Sequence, residues 1–372
     1  MNIRKSPGLP RGFPLSPAMA APIALRPLAP SPDWDADGGD SMPLAGGPLR
    51  YAAFEIFLHG PDVVCVTRAP LAALRRWAAA EGQDVRELVE ATLAALSAPR
   101  PPFAGLALDV PRVVGIVNVT PDSFHDGGAH ATAAAAVAHG EALIAAGADM
   151  LDIGGESTRP GSAATPEAEE LDRVVPVIEA LAPRGVPISV DTRRPAVMRA
   201  ALAAGARVIN DVTALGAEGA MEAVAEAQAG AILMHMQGTP ETMQREPHYD
   251  HAPYEVFRFL ESRVTACEAR GIPRRLLCVD PGIGFGKSLF HNMEILSGFS
   301  LYHALGCAVM AGISRKGFIS SILPGTPAAA RLPGTLAATT VAAAQGVQLH
   351  RVHDAAEARQ ALAVWRASVG PR

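Results

Sequence analysis

The chain places polar side chains where apolar runs end, and the stretch GIVNVTPDSFHDGG, residues 115–128, is the first such place. The apolar run 113–119 predicts a buried β-strand. Asn118, Asp122 and two hydroxyl groups then gather on a loop that proline and glycine punctuate. Such a loop at the end of a buried strand can bring ligand-binding groups to the edge of a sheet.

Seven further apolar runs also end in polar residues. These ends are Asp152 before the loop GGESTRPG, Asp191, Asn210 with Asp211, His235, Asp280 before PGIGFGK, Ser314-Arg315-Lys316, and Arg351 with His353. Asp and Asn also cap helices and begin turns, which would account for one or two such ends. Because all eight runs share the pattern, we interpret their ends as one functional rim.

The apolar runs alternate with Ala-rich amphipathic segments. The predicted strands are 112–119, 149–154, 187–191, 206–211, 231–236, 276–280, 307–314 and 346–351, and the predicted helices lie near 130–146, 167–182, 195–204, 217–228, 252–270, 289–304, 326–345 and 354–368. Eight strand–helix pairs are typical of an α/β fold, the (β/α)8 or TIM barrel, whose active sites lie at the C-terminal ends of the strands. The alternative, a doubly wound sheet, usually has fewer strands and a Gly-rich phosphate turn after its first strand, which this chain lacks.

Two kinds of chemistry are expected on the rim. Asp191, Asn210, Asp280 and Lys316 offer hydrogen-bond acceptors, an amide and one cation, and buried carboxylates are unfavourable unless a partner donates to them. A guanidine-like heterocycle would supply such donors. The second group is predicted to bind an anion where barrels commonly hold phosphate, and its members are Thr158, Arg159, Lys316, Arg351 and His353.

Three other features of the sequence are less specific. GFGKS at 284–288 resembles a P-loop, but that pattern requires glycine where the chain has Pro281. His235 could bind a metal, but without a second ligand at suitable spacing a structural histidine is favoured. Of the 32 basic residues only Lys5, Lys287 and Lys316 are lysines, so Lys287 and Lys316, inside motifs, suggest sites where an ammonium group is needed.

Composition excludes several classes of protein. A net charge of −5 argues against a general nucleic-acid binder. No apolar run reaches about 18 residues, and the N-terminus lacks a continuous apolar secretory segment, so we predict no membrane association and a cytoplasmic location. The four cysteines form no metal-ligand spacing and are predicted to be buried thiols.

The chain divides into three parts. Residues 1–50 contain ten prolines and six glycines and are predicted to be disordered. Residues 51–100 predict a small appended α+β segment of unknown role, with a hairpin and two helices, 69–81 and 84–97. Residues 103–370 are assigned to the barrel, which the short hairpin strand FAGLALD precedes.

Eight motifs together resemble those of dihydropteroate synthase, a family of pterin-binding barrel enzymes. They are NVTPDSF (118–124), LDIGGESTRPG (151–161), VDT (190–192), IND (209–211), MHMQG (234–238), DPGIGFGK (280–287), SRK (314–316) and RVH (351–353). The resemblance covers residues 103–370 and implies a transferase of folate biosynthesis, the target of sulfonamides. Its expected reaction joins 4-aminobenzoate to (7,8-dihydropterin-6-yl)methyl diphosphate, giving 7,8-dihydropteroate and diphosphate.

The resemblance also implies roles for individual residues. The pterin is expected at Asp191, Asn210, Met234, Asp280 and Lys316, the diphosphate at Asn118, Thr158, Arg159, Arg351 and His353, and the aminobenzoate at Pro160, Phe285 and Lys316. Catalytic roles are expected for Asp122, Arg159, Lys316 and Arg351. Mg²⁺ is expected beside Asn118, carried largely by the diphosphate.

Two further expectations follow from the resemblance. The loop NVTPDSF should be a mobile lid that closes with GGESTRPG and keeps water from the activated pterin. A homodimer is implied, through the small-residue-rich helix 326–345.

Some positions depart from the family's pattern, and two other classes compete with it. Ile283, Gly317 and His125 stand where Phe, a polar residue and Ser are frequent. A methyltetrahydrofolate:corrinoid methyltransferase would share the pterin acids but would need neither the anion pair Arg351 and His353 nor the STRPG lid. A non-catalytic pterin-binding paralogue would tend to lose the lid or anion residues, which this chain retains.

Overall fold

The structure, a computed structural model, describes residues 2–17, 19, 21–32, 40–119, 129–157, 162 and 164–369. The first hundred residues form a small α+β unit. Its elements are β1 (Ile3–Lys5), β2 (Ile23–Pro27), β3 (Ser31–Pro32), β4 (Met42–Pro43), β5 (Leu49–Tyr51), β6 (Ala53–His59), β7 (Val64–Pro70), α1 (Leu71–Glu81) and α2 (Gln83–Ser97). One sheet has the strand order β1-β7-β6-β2 and the other has β3-β5-β4.

The N-terminal unit contains the predicted hairpin and two helices, but it is more ordered than predicted in residues 1–50. Strands β6 and β7 form the predicted antiparallel hairpin, and α1 and α2 follow it. The prediction of disorder over residues 1–50 is wrong for the described part, which contributes strands to both sheets. Apolar side chains of β2, such as Ile23 and Leu25, are buried in this unit. The many prolines around them concealed these strands in the composition.

The N-terminal unit packs against the barrel through β6. Phe54, Ile56 and Leu58 belong to the core shared with α1 and α2. The alternate residue Phe57 packs with the barrel core, and its ring stacks on that of Tyr254 at 4.7 Å between centroids. The sheet is therefore covered on both faces, as the strand period of two requires.

Eight parallel strands close into a barrel, each paired with its neighbours in the chain and the last paired with the first. The strands are β8 (Arg112–Asn118), β9 (Met150–Gly154), β10 (Ile188–Asp191), β11 (Val208–Asp211), β12 (Gly230–Met234), β13 (Leu277–Asp280), β14 (Ala308–Gly312) and β15 (Leu349–Val352). The predicted (β/α)8 barrel with an N-terminal extension is thus confirmed.

Helices cover the outside of the barrel. They are α3 (Ala129–Ala145), α4 (Glu167–Leu181), α5 (Pro195–Ala203), α6 (Ala220–Ala227), α7 (Ala252–Ala269), α8 (Leu289–Ser297), α9 (Gly317–Ile322), α10 (Leu332–Ala343) and α11 (Ala355–Val369), with 3-10 turns at Ala182–Arg184, Arg274–Leu276, Phe299–Leu305 and Ala328–Ala330. In the described part of the chain, no helix combines the length and the apolar character that crossing a membrane requires.

Several predicted elements differ in the structure. The predicted helix 289–304 ends at Ser297 and is followed by a 3-10 turn, and the short helix α9 was not predicted. The predicted helix 326–345 begins only at Leu332, because Pro333 in its first turn cannot continue a helix from the preceding residues. The segment FAGLALD forms an isolated bridge between Phe103 and Leu106 in place of a hairpin strand. Phe103 and Leu108 instead join the core inside the barrel.

Candidate active site

The inward-facing positions of the barrel change from apolar to polar along the strands. Near the bottom, the interior core contains Val114, Met150, Val208, Ile232, Cys278, Met310 and Leu349. Two residues further along their strands stand Ile116, Asp152, Asn210, Met234, Asp280, Gly312 and Arg351. Because successive strand residues alternate between faces, a step of two keeps the side chain inside the barrel. The strand ends predicted from the sequence are therefore brought together at the C-terminal rim.

Arg351 lies between two carboxylates on this rim. Its Nε donates to Asp152 Oδ2 at 2.5 Å and its Nη2 donates to Asp191 Oδ2 at 2.9 Å. Asn210 Nδ2 donates to the same Asp152 oxygen at 3.0 Å. Asp152 is fully buried, and its Oδ1 has no hydrogen-bond partner among the described residues. Two acids that share one guanidinium favour a ligand that donates further hydrogen bonds.

Burial shifts the pKa values of this cluster toward neutrality. It raises the pKa of Asp191 to about 7, and the carboxylates of Asp152 and Asp211 act in the same direction, against Arg351. Burial also raises the pKa of Asp280, and it lowers the pKa of the Lys316 ammonium to about 8. Perturbed groups that converge at the mouth of a barrel are typical of a functional site.

Gly312 allows Asp280 and Lys316 to approach each other. A Cβ at this position would lie 3.3 Å from Asp280 Oδ2 and 3.6 Å from Lys316 Nζ. Lys316 Nζ donates to the Ile283 carbonyl and lies 4.5 Å from the centroid of the Phe285 ring. Lys316 thus links the acids at the barrel centre to the loop that follows β13.

The predicted anion group is only partly separate from the acids. His353 follows β15, where its Nδ1 lies 2.9 Å from Ser314 Oγ. Asn118 ends β8 and pairs in register with Gly154. Arg351, in contrast, lies with the acids, where its guanidinium donates to Asp152 and Asp191. Among the described contacts, Arg351 therefore belongs to the acid half of the rim, and its role toward an anion stays a prediction.

Four of the predicted site residues lie outside the described residues. They are Asp122, Thr158, Arg159 and Pro160. The predicted lid, NVTPDSF closing with GGESTRPG, falls largely on the same parts of the chain, and it stays a prediction.

Three residues in or beside the site lie on the predicted rim or in its motifs, but no ligand was predicted for them. Asp152 connects Asn210 with Arg351, and its signal was a carboxylate inside a buried strand. Glu156, in the loop after β9, pairs with Arg193 and Arg194 after β10, each at 3.0 Å. Lys287 is buried at the end of the loop after β13, and its signal was the rarity of lysine in this chain.

The barrel and its rim match those of the pterin binding enzymes, a family to which the chain is similar over residues 114–353. The class is therefore that of pterin-binding barrel enzymes. Dihydropteroate synthase of Escherichia coli strain K12 is 46% identical over 271 residues, which are 72% of this chain and 96% of the relative. That of Neisseria meningitidis serogroup B is 46% identical over 268 residues, 70% of this chain and 94% of the relative.

Solved structures agree with these relatives. Xanthomonas albilineans dihydropteroate synthase with 4-aminobenzoic acid is 51% identical to this chain, with a TM-score of 0.69. The match covers 72% of this chain and 97% of the Xanthomonas chain. The Yersinia pestis enzyme with a sulfonamide drug is 45% identical, with a TM-score of 0.68. This match covers 71% of this chain and 96% of the Yersinia chain. The chain belongs to the dihydropteroate synthase family, and it is a transferase.

Proposed function

We propose that this chain joins 4-aminobenzoate to (7,8-dihydropterin-6-yl)methyl diphosphate and forms 7,8-dihydropteroate and diphosphate. The observation that carries the proposal is the ring of Asp191, Asn210, Asp280 and Lys316 at the mouth of the barrel, in which Asn210 and Asp280 are buried and the other two half-buried. A dihydropteroate synthase of Xanthomonas albilineans that is 48% identical to this chain has been solved in complex with 7,8-dihydropteroate. The same product fits the chemistry of this rim.

The pterin would occupy the centre of the barrel. Its aminopyrimidinone edge presents adjacent N–H donors, which the carboxylates of Asp191 and Asp280 can accept. The Asn210 amide can both donate to and accept from the neighbouring donor and acceptor groups of the pterin. Lys316 can donate to an acceptor atom of the pterin ring. Met234, which is 4% exposed, would provide an apolar wall for the ring.

Pterin affinity should depend on pH with a maximum between about 7 and 8. Below about 7 the Asp191 carboxyl gains a proton and loses an acceptor, and above about 8 the Lys316 ammonium loses a donor. Each limb should fall by up to about tenfold per pH unit, measured by calorimetry with a pterin that lacks the diphosphate. In Lys316→Arg the alkaline limb should move upward, because a guanidinium keeps its proton. A constant affinity from about pH 6 to about pH 9 would contradict the assignment.

The reaction is a substitution at the pterin methylene. The arylamine nitrogen forms a bond to the methylene carbon while the bond from that carbon to the diphosphate oxygen breaks, and the amine then loses a proton to water. An arylamine is neutral and needs no strong base, so the main requirement is to stabilise the departing charge. Arg351 and His353 would contribute this electrostatic stabilisation, together with Arg159 and Thr158 from the loop after β9. Asp122 would stabilise positive charge growing on the pterin and hold that loop by a hydrogen bond.

The aminobenzoate would lie beside the pterin, between Phe285 and the loop after β9. The Phe285 ring and the Lys316 stem offer an aromatic and an aliphatic surface, which suit a flat benzoate. Pro160 would complete the pocket. A sulfonamide has a similar shape, and the Yersinia pestis relative has been solved with such a drug. We propose that sulfonamides bind this chain at the same place and compete with 4-aminobenzoate.

A magnesium ion is proposed beside Asn118. The amide oxygen of Asn118 is a hard ligand that suits Mg²⁺, and the described residues contain no group of three acidic, His or Cys side chains that could hold a metal by themselves. This fits an ion that reaches the site with the diphosphate. When bound, it would neutralise charge on the leaving group.

Removal of divalent cations should therefore lower turnover by at least about a hundredfold, and added Mg²⁺ should restore it. The affinity for a pterin without the diphosphate should stay the same. Asn118→Ala should raise the Mg²⁺ concentration that half-restores turnover. Full activity in a chelator would rule the ion out.

A homodimer and a cytoplasmic location are also proposed for this chain. Exposed apolar side chains on α9, α10 and α11, among them Ile322, Val341 and Val364, would be covered in a homodimer. Light scattering on the purified chain distinguishes a dimer from a monomer. All four cysteines are free and buried, which suits a reducing cytoplasm. Fractionation of cells tests that location.

The proposed function is tested by product analysis. Purified chain given both substrates and Mg²⁺ should form dihydropteroate, identified by its mass, and a sulfonamide should compete with 4-aminobenzoate. Methyl transfer from methyltetrahydrofolate in place of this product would favour the corrinoid methyltransferase class. Pterin binding without any product would favour a non-catalytic paralogue.

A further inference from the structure

Lys287, the last residue of the motif DPGIGFGK, directs its ammonium at three acceptors. Its Nζ lies 2.9 Å from the Phe285 carbonyl, 3.0 Å from His235 Nδ1 and 3.3 Å from the His235 carbonyl. The side chain is buried, with 2% of the residue exposed. Burial lowers the pKa of Lys287 well below its usual value, against the nearby Asp280 carboxylate, which favours the ammonium form. The three N–H donors of an ammonium would match all three acceptors.

His235 fits the role of an acceptor. Burial lowers its pKa well below the usual value, and the neighbouring Lys287 acts in the same direction. The imidazole is therefore neutral, and one ring nitrogen can accept a hydrogen bond. This explains the histidine as part of a side-chain contact between two loops.

The loops after β12 and β13 lie directly against each other through their backbones. A Cβ at Gly282 would lie 2.0 Å from the His235 carbonyl oxygen, and one at Gly286 would lie 2.5 Å from that of Gln237. Both glycines also have positive φ, 69° and 60°, which other residues rarely adopt. No side chain fits between the loops here, so Lys287 reaches across from the end of the second loop.

Phe285 is held from two sides by the two lysines of the motifs. Lys287 binds its carbonyl, and Lys316 lies over its ring while it donates to the Ile283 carbonyl. The backbone position and the ring position of Phe285 are thus fixed by different ammonium groups. A planar guanidinium could not place three donors on acceptors that converge in this way.

We infer that Lys287 is a positioning residue that fixes Phe285, and with it the aminobenzoate pocket, by tying the loop after β13 to His235. The inference rests on the proposed function, in which Phe285 walls that pocket. Lys287 itself does not contact a substrate. Loss of the Lys287 side chain should therefore raise the KM for 4-aminobenzoate more than the KM for the pterin diphosphate.

Lys287→Met tests the inference through the two Michaelis constants. The KM for 4-aminobenzoate and the inhibition constant of a sulfonamide should each rise by about tenfold or more, because the loop loses the buried hydrogen bonds made by the Lys287 side chain. The KM for the pterin diphosphate should change far less, since its acids lie on the barrel strands. Lys5→Met, on exposed strand β1, is the matched control and should leave both constants unchanged. An unchanged aminobenzoate KM, or an equal rise in both, would overturn the inference.

A second pair of variants covers the case in which Lys287→Met does not fold. His235→Leu removes one acceptor and should raise the aminobenzoate KM, whereas His235→Asn keeps an acceptor near the place of Nδ1 and should restore it toward the native value. Equal constants for the two His235 variants would count against the contact. Absence of product from the native chain would defeat the proposed function itself, whereas native turnover with insensitive variants would defeat only the role of Lys287.

Discussion

Arg351→Ala is expected to lower turnover by about 10²–10³-fold, a loss similar to that from removing one preorganised donor at a developing anion. Arg351 donates hydrogen bonds to Asp152 and Asp191, and in the proposed complex it would also contact the diphosphate. Its removal would leave the departing diphosphate without this charge. The variant should be measured at saturating concentrations of both substrates.

The same substitution also leaves Asp152 and Asp191 without their shared partner, so two effects must be separated. Calorimetry with the pterin alcohol and with the pterin diphosphate does this. Loss of affinity mainly for the diphosphate supports the anion role, and equal loss for both ligands indicates that Arg351 only organises the acids. Arg366→Ala, on an exposed part of α11, is the matched control. Near-normal turnover in Arg351→Ala would show the assignment to be wrong.

Asp191→Asn is expected to lower pterin affinity by at least about a hundredfold. In the proposed complex the ionised carboxylate would accept adjacent N–H groups of the pterin, and hydrogen bonds to a charged group contribute about 1.5–3 kcal/mol each. The amide offers one acceptor and turns a donor toward pterin donors. Calorimetry near pH 8 measures the effect, because most of the native Asp191 is ionised above its pKa of about 7.

Asp109→Asn provides the matched control for this substitution. Asp109 pairs with Arg112, and its side chain is 72% exposed, next to the start of β8 and far along the strand from the rim. The Asp109→Asn variant should bind the pterin with the same affinity as the native chain. If Asp191→Asn keeps native affinity as well, the pterin does not bind through this carboxylate.

The fold was predictable because its signals are local. Each predicted barrel strand is an apolar run followed by a polar residue, and Ala-rich helical segments separate these runs, so eight repeats identified the barrel. The period of two within each strand also predicts which side chains share the interior. Asp191, Asn210 and Asp280 could be assigned to one rim for this reason.

Contacts between distant residues could not be predicted in the same way. Arg351 and Asp152 are 199 positions apart, and only the closed barrel brings them together. The role of Lys287 likewise depends on how two loops lie against each other. In residues 1–50 the strands are two to five residues long, and several of their partners lie in other parts of the chain, so no local period revealed them.

The most direct test of the central claim is diphosphate release by the purified chain given pterin diphosphate and Mg²⁺, with and without 4-aminobenzoate. If the rim binds both substrates and joins them, release should depend on 4-aminobenzoate, and one dihydropteroate should form for each diphosphate. Tight pterin binding with no release under either condition would contradict the claim. It would show that the barrel holds a pterin without carrying out the transfer.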